Sequence, residues 1–418
     1  SANAEPGSIL IQINEGDGFT DLGTIDVQTT GNWQTFANAS LNDIKLPDGE
    51  YILRIKIIDG GFNLNWLKFD LSPPATQTTA IKNGGWLADT TWSHGVPNAT
   101  KRAIIPQGIT VTIWGGNPTA NGVVVHGLLK VGEQENAIFS LTTDWVHVNS
   151  NGMFQIGTKD NPYDQGKFTL TLTGDDPEAD WEIPMANGML MSVQDNNGFI
   201  MAGMSGSLQF FGKDKLTYTR LAATAEMNSS VIYVRNLIER NYDGVYSEAS
   251  DGVLNWEVGD QIVIASSSYN YADEEVRIIT KIEDLGNSNS AITLDSPLLN
   301  RHYGERETYG TGANQQTIEM RAEVAILNRN VKIQGLASQD TDVNFGDRVN
   351  FNAGVSEGVG GHIMVMNNAG AVNLDSVQLD KMGQTGRLGR YPIHWHIAGD
   401  RTGDSLRGVA ITNSNNRG

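Results

Sequence analysis

Between Ala103 and Gly157 the chain repeats one pattern: a short run of apolar, often β-branched residues closed by glycine. It runs through Ala103-Ile104-Ile105-Pro106-Gln107-Gly108 and Gly122-Val123-Val124-Val125-His126-Gly127-Leu128-Leu129-Lys130-Val131-Gly132. It returns in Trp145-Val146-His147-Val148-Asn149-Ser150-Asn151-Gly152-Met153-Phe154-Gln155-Ile156-Gly157. Strands that stop at glycine belong to a sheet that turns a corner at each stop. Recurrence at roughly 15 to 25 residues points to stacked rungs of a solenoid. The expected fold class is therefore all-β, with a right-handed parallel β-helix as the main body.

Composition agrees with that reading. The 418 residues include 47 glycines and 12 prolines, and stretches of helical periodicity are scarce. There is no cysteine, which excludes a disulfide scaffold and any thiol nucleophile or thiolate metal site. A net charge of -19 argues against nucleic-acid partners and against binding to anionic membranes. No apolar run is long enough to cross a membrane as a helix, so membrane insertion is not expected. No signal peptide is visible at Ser1 and no capping element closes the other end, so the chain is expected to be cut from a longer one.

Residues 1–72 alternate as short strands, divided by turns such as Pro47-Asp48-Gly49 and Asp59-Gly60-Gly61. A linker is expected over 73–80. The series Gly31-Asn32-Trp33-Gln34-Thr35, Leu46-Pro47-Asp48-Gly49-Glu50-Tyr51 and Gly61-Phe62-Asn63-Leu64-Asn65-Trp66 resembles the C-terminal half of a family-six carbohydrate-binding module. The resemblance implies a partial β-sandwich (jelly-roll) in which Trp33 and Asn63 meet a sugar. An indole stacks on a sugar face and a carboxamide bonds two hydroxyls. Trp66 reads equally as core, and Asp70 is a candidate ligand for a structural calcium.

The glycine-closed strands, with Gly108, Gly122, Gly127, Gly132, Gly152 and Gly157 as hallmarks, resemble the eight-glycine domain of the cell migration-inducing and transmembrane hyaluronidase family. That domain is placed at 81–205. The likeness continues through Trp256-Glu257-Val258-Gly259-Asp260, Ala322-Glu323-Val324-Ala325-Ile326 and Gly360-Gly361-His362-Ile363-Met364. Residues 206–418 are accordingly expected to be parallel β-helix. The resemblance implies depolymerisation of hyaluronan and dependence on calcium. His94, His126 and His147 read as structural.

The chemistry concentrates in Gly389-Arg390-Tyr391-Pro392-Ile393-His394-Trp395-His396. In a strand His394 and His396 leave the same face. A rung's length upstream, His362 is expected beside them, giving a three-imidazole candidate site for a divalent transition metal. Non-metal catalysis and a purely structural pair remain open alternatives. Lys381, Arg387, Arg390, Arg401 and Arg407 outnumber Asp400 and Asp404 nearby, which suits a uronic-acid polymer; arginine–aspartate pairing is the plain alternative. For cleavage, hydrolysis is favoured over elimination, with Asp400 as the carboxyl and Asp380 or Glu323 as second choices. Elimination would use Arg390 as neutraliser and His394 or Tyr391 as base, and Arg387 would help hold substrate. Acidic turns at 174–180 and 271–275 are further calcium candidates. The expected protein binds and depolymerises a polysaccharide outside the cell or at its surface, in a bacterial setting; a non-catalytic glycan-binding adhesin is the alternative.

Overall fold

The computed structural model describes residues 6–15, 18–41, 44, 51–67, 76–174, 181–193, 198–236, 254–336, 360–384 and 388–416. The chain divides into two units, Ser1–Ala75 and Thr76–Gly418. In the first, strands Gly7–Glu15, Gly18–Val27 and Leu53–Asp59 form an antiparallel sheet with Gly7–Glu15 in the centre. Ile9, Ile11 and Ile13 fall on one face by period-2 alternation and are buried. Among the described residues this unit holds one sheet rather than the two packed sheets of the expected sandwich.

The second unit opens earlier than expected. Gln77–Thr79, placed in the linker by sequence, is the first strand of the solenoid and pairs in parallel with Arg102–Ile105. Thr78 and Ala80 turn inward there and are buried, which fixes the strand to the body.

From that start the chain coils into a parallel β-helix of three faces, two with seven strands and one with six. A typical rung is Val123–Val125 on the first face, Leu128–Val131 on the second and Ile138–Thr143 on the third. Inward residues stack in columns: Val123, Val146, Ile200, Ile363 and Ile393 lie in register on the first face. The core of these columns is apolar and continuous from Ala80 to Met382. Each fully buried Val, Leu, Ile or Phe contributes about 1.5–3 kcal/mol of transfer free energy. The corner glycines have a steric reason. A Cβ at Gly152 would meet the Val125 carbonyl, and one at Gly127 the Pro106 carbonyl, both from the rung below.

Two excursions leave the coil. Strands Trp181–Pro184 and Leu190–Val193 form a hairpin laid over the outside of the first face. Ile183 and Val193 pack there on Val124, Trp145, Phe199 and Met201, making a second small core.

The other excursion corrects the expected organisation of 206–418. Between Ser207–Phe211 on the second face and Val331–Gly335 on the third, the chain leaves the coil. It forms a six-stranded sheet in which every pairing is antiparallel. The sheet closes on itself, because Leu221 bridges Val234 and Ala222 N–H donates to Tyr233 O at 2.7 Å. Its apolar core is separate from that of the coil. Antiparallel neighbours need only tight turns, such as 286–289 with Asn287 and Ser288 at positive φ, so this part needs no rung-length crossover.

Candidate functional site

The last rung described on the first face is Ile393–His396. Ile393 and Trp395 point inward and pack on the main core, so His394 and His396 project outward together. His394 Nε2 lies 3.2 Å from His396 Nδ1, and the Tyr391 ring sits edge-on to His394 with centroids 5.4 Å apart. Burial pushes the His394 pKa below its ordinary 6.5, and the neighbouring His396 adds to this. At neutral pH His394 is therefore an uncharged base.

Around this pair the backbone is pinned by two side chains. Gln384, almost fully buried, accepts from Arg390 Nη1 at 2.7 Å and donates to Gly360 O at 3.2 Å. Asp404 accepts from Trp395 Nε1 at 2.9 Å, from Val372 N–H at 3.0 Å and from Arg401 at 2.8 and 3.0 Å. Burial opposes the Asp404 charge, yet these donors outweigh it and hold its pKa below the usual carboxylate value. Asp404 thus locks Trp395, the residue between the two histidines.

The three-imidazole cluster expected from sequence does not assemble. Register pairs Met364 with His394 and Met366 with His396, and Ile363 N–H donates to Pro392 O. His362 therefore sits one rung away and two residues along the strand from the position facing His394, a diagonal of about 8 Å. It is fully buried in an outer aromatic column, 6.1 Å from Phe199, which itself stacks on Trp145 at 5.8 Å. Burial first, then the Arg390 charge and the neighbouring His394 ring, drop its pKa to about 3. Among the described residues no group of three or more His, Asp or Glu is placed to hold a metal ion. The residues present do not fit a three-imidazole metal centre.

Several other expectations also resolve at residue level. Asp400 is exposed and caps a turn, accepting from Thr402 N–H at 2.9 Å and Thr402 Oγ1 at 2.6 Å. These bonds lower its pKa, the wrong direction for a general acid. Asp380 lies on the third face, bonded to Thr412 and Asn413, and Glu323 is in the antiparallel insertion, paired with Arg220. Arg401 and Arg407 are paired with Asp404 and Asp375, so the plain ion-pair reading accounts for part of the cationic patch. Arg387, Asp70 and the acidic turn from 175 to 180 lie outside the described residues. In the turn 271–275, Asp273 accepts from Ser268 and Asn270, and Glu275 from Leu299, Asn300 and His302, so protein donors occupy these carboxylates. In the first unit Trp33 is exposed and its carbonyl accepts from Asn63 Nδ2 at 3.4 Å, bringing the two expected sugar contacts together. Trp66 is 56% exposed and is not core.

Two family models match the chain: the G8 domain over residues 91–222 and the CEMIP beta-helix over residues 358–418. The chain is thus similar to the G8 domain in its early rungs and to the CEMIP beta-helix in its last ones. A human protein named cell surface hyaluronidase CEMIP2 is 36% identical over 38% of this chain and 10% of its own length. Mouse fibrocystin-L is 27% identical over 79% of this chain and 8% of its length. A G8 domain-containing protein of Dictyostelium discoideum is 27% identical over 75% of this chain and 23% of its length. The chain thus spans a quarter or less of each of these relatives, and as animal and Dictyostelium proteins they lend no support to the expected bacterial setting.

The G8 match covers the early rungs and reaches the start of the insertion, whereas the histidine pair lies in the CEMIP β-helix segment. His126 and His147 belong to the G8 part. His126 Nε2 lies 3.1 Å from Pro184 O of the covering hairpin, and His147 Nδ1 lies 2.7 Å from Asn149 Nδ2. Sequence assigned Gln384 no role and counted Asp404 only as a nearby charge. A lone Gln carries no motif, and Asp404 reads as an ordinary surface acid until the fold lays it under Trp395.

Proposed function

We propose that this chain is the glycan-handling segment of an extracellular or cell-surface protein that binds and depolymerises a uronic-acid polysaccharide of hyaluronan type. The observation that carries the reading is the outward His394–His396 pair, with neutral His394 packed on Tyr391 and Arg390 held through Gln384. Its place in the CEMIP β-helix, and the name of the hyaluronidase relatives, support the substrate class. Exposed Trp33 beside Asn63 supports a sugar contact in the first unit.

The side chains at the pair favour elimination over the hydrolysis expected from sequence, because Asp400 is held ionised. Arg390 would neutralise the uronate carboxylate, and His394 would take the C5 proton. The released electron pair forms the C4–C5 double bond as the C4–O bond breaks, and the leaving oxygen takes a proton from Tyr391 or water. A non-catalytic glycan-binding protein is the second reading, favoured by the way His394 and His396 satisfy one another.

The test incubates the protein with hyaluronan and a panel of neutral and acidic glycans, with and without chelator, and follows product size and ultraviolet absorbance. Shortened chains with an unsaturated-uronate band, lost in His394→Ala, support elimination; shortened chains without the band select hydrolysis. Intact polymer in every condition with binding retained selects the second reading.

A further inference from the structure

We infer that the outward surface of the second face is a separate groove that binds an acidic glycan segment lying along the helix axis. The groove measures about 500 Å³. Two columns of side chains, one residue per rung, form most of its floor. The middle column runs Gln155, Gln209, Asn373 and Ser405, each in register with the next. One flank is the column Phe211, Asp375 and Arg407, also in register, and Met153 closes the other edge.

From Ser405 to Gln209 the middle column is a hydrogen-bonded ladder. Ser405 Oγ donates to Asn373 Oδ1 at 2.7 Å, Asn373 Nδ2 to Gln209 Oε1 at 3.2 Å, and Gln209 Nε2 to Ala371 O at 3.0 Å. Each amide nitrogen carries two hydrogens, so the ladder spends one and leaves a second. A row of fixed amides is suited to sugar hydroxyls, and the apolar surfaces of Met153 and Phe211 suit the C–H face of a pyranose. Rungs stack about 4.8 Å apart, so the four residues span about 14 Å, the length of a short run of sugars in an extended chain.

Charge selects the class of sugar. Lys159 is exposed at one end of the groove, and Arg407 stands at the other with its Nε donating to Asp375 Oδ2 at 2.8 Å. Asp375 balances Arg407, so Lys159 is the cation that carries the selection, and it fits a carboxylate of a uronic-acid polymer. The histidine pair is on the first face, on strand Ile393–His396, whereas this groove uses Ser405–Arg407 and the second face below it. The inference takes only the ligand class from the proposed function.

Isothermal titration with hyaluronan oligosaccharides of increasing length, and with neutral cello-oligosaccharides, tests it. Gln209→Ala is expected to weaken both ligands, and Lys159→Glu to weaken only the acidic one, by about tenfold, as for one charge-assisted hydrogen bond. Circular dichroism checks the fold. If Gln209→Ala unfolds, Lys159→Glu on its exposed site decides alone. Undiminished affinity in folded variants, with binding lost in Trp33→Ala or His394→Ala, overturns the groove while leaving the proposed function standing. No glycan binding by the unaltered chain overturns both.

Discussion

His362 shows how a single residue can look like a ligand and serve as packing. Its ring continues the Trp145–Phe199 column, and both of its nitrogens are buried without a hydrogen-bond partner among the described residues. An unmet buried polar group costs about 1–3 kcal/mol, so His362→Phe should raise stability by about that much, read as a higher denaturation midpoint. The variant should also change the response to acid. The folded pKa of His362 is about 3 and that of His147 about 4, burial being the main cause in both, against an ordinary 6.5. Below pH 6.5 the unfolded chain therefore binds more protons than the folded one, and stability falls as pH drops toward 4. Denaturant unfolding across that range should show the loss in the unaltered protein and a shallower slope in His362→Phe. An unchanged slope would remove His362 from the account.

Among the elements, the hairpin Trp181–Pro184 and Leu190–Val193 converts an outer face of the solenoid into a second core. Trp181 packs edge-on to Trp145 at 5.4 Å, and Ile183 is fully buried between the hairpin and the first face. Ile183→Ala should cost about 3 kcal/mol, the middle of the range for such a truncation. Since Pro184 O faces His126 and the same cover lies near His147, loosening the hairpin should admit water. Histidine titrations by NMR should then show both pKa values moving up toward 6.5. Lost stability with unmoved histidine titration would mean that the hairpin is packing only, with no hold on these two rings.

For the whole second unit, the closed antiparallel sheet is an insertion whose entry and exit strands nearly touch. Lys213 N–H donates to Asn330 Oδ1 at 2.8 Å, and Asn330 Nδ2 bonds Tyr163 O and Gly166 O on the rung below at 2.6 and 3.0 Å. The rungs on either side pair directly: Ser207–Phe211 with Val372–Asp375, and Lys167–Leu172 with Val331–Gly335. Replacing residues 214–329 by a two-residue turn should leave a folded β-helix, recognised by strand-type circular dichroism and one cooperative melt. A molten product would show that the insertion supplies core to the coil. Its presence was hidden in the sequence because alternating apolar strands look alike whether they pair within a barrel or between rungs.

What the sequence determined by itself was whatever depends on local geometry. Glycine-closed apolar strands dictate a coil that turns at corners, and the two-residue spacing of His394 and His396 puts them on one face wherever their strand lies. Trp33 and Asn63 were likewise legible as a pair from a motif. Register between distant rungs was not, because pairing is set by how inward columns such as Val123, Val146, Ile200, Ile363 and Ile393 pack, over separations of many residues. That register carried His362 away from the other two imidazoles and into an aromatic stack. It also aligned Gln155, Gln209, Asn373 and Ser405, four unremarked polar residues, into one column. Stacking alone makes such columns, and only the folded coil brings their members together.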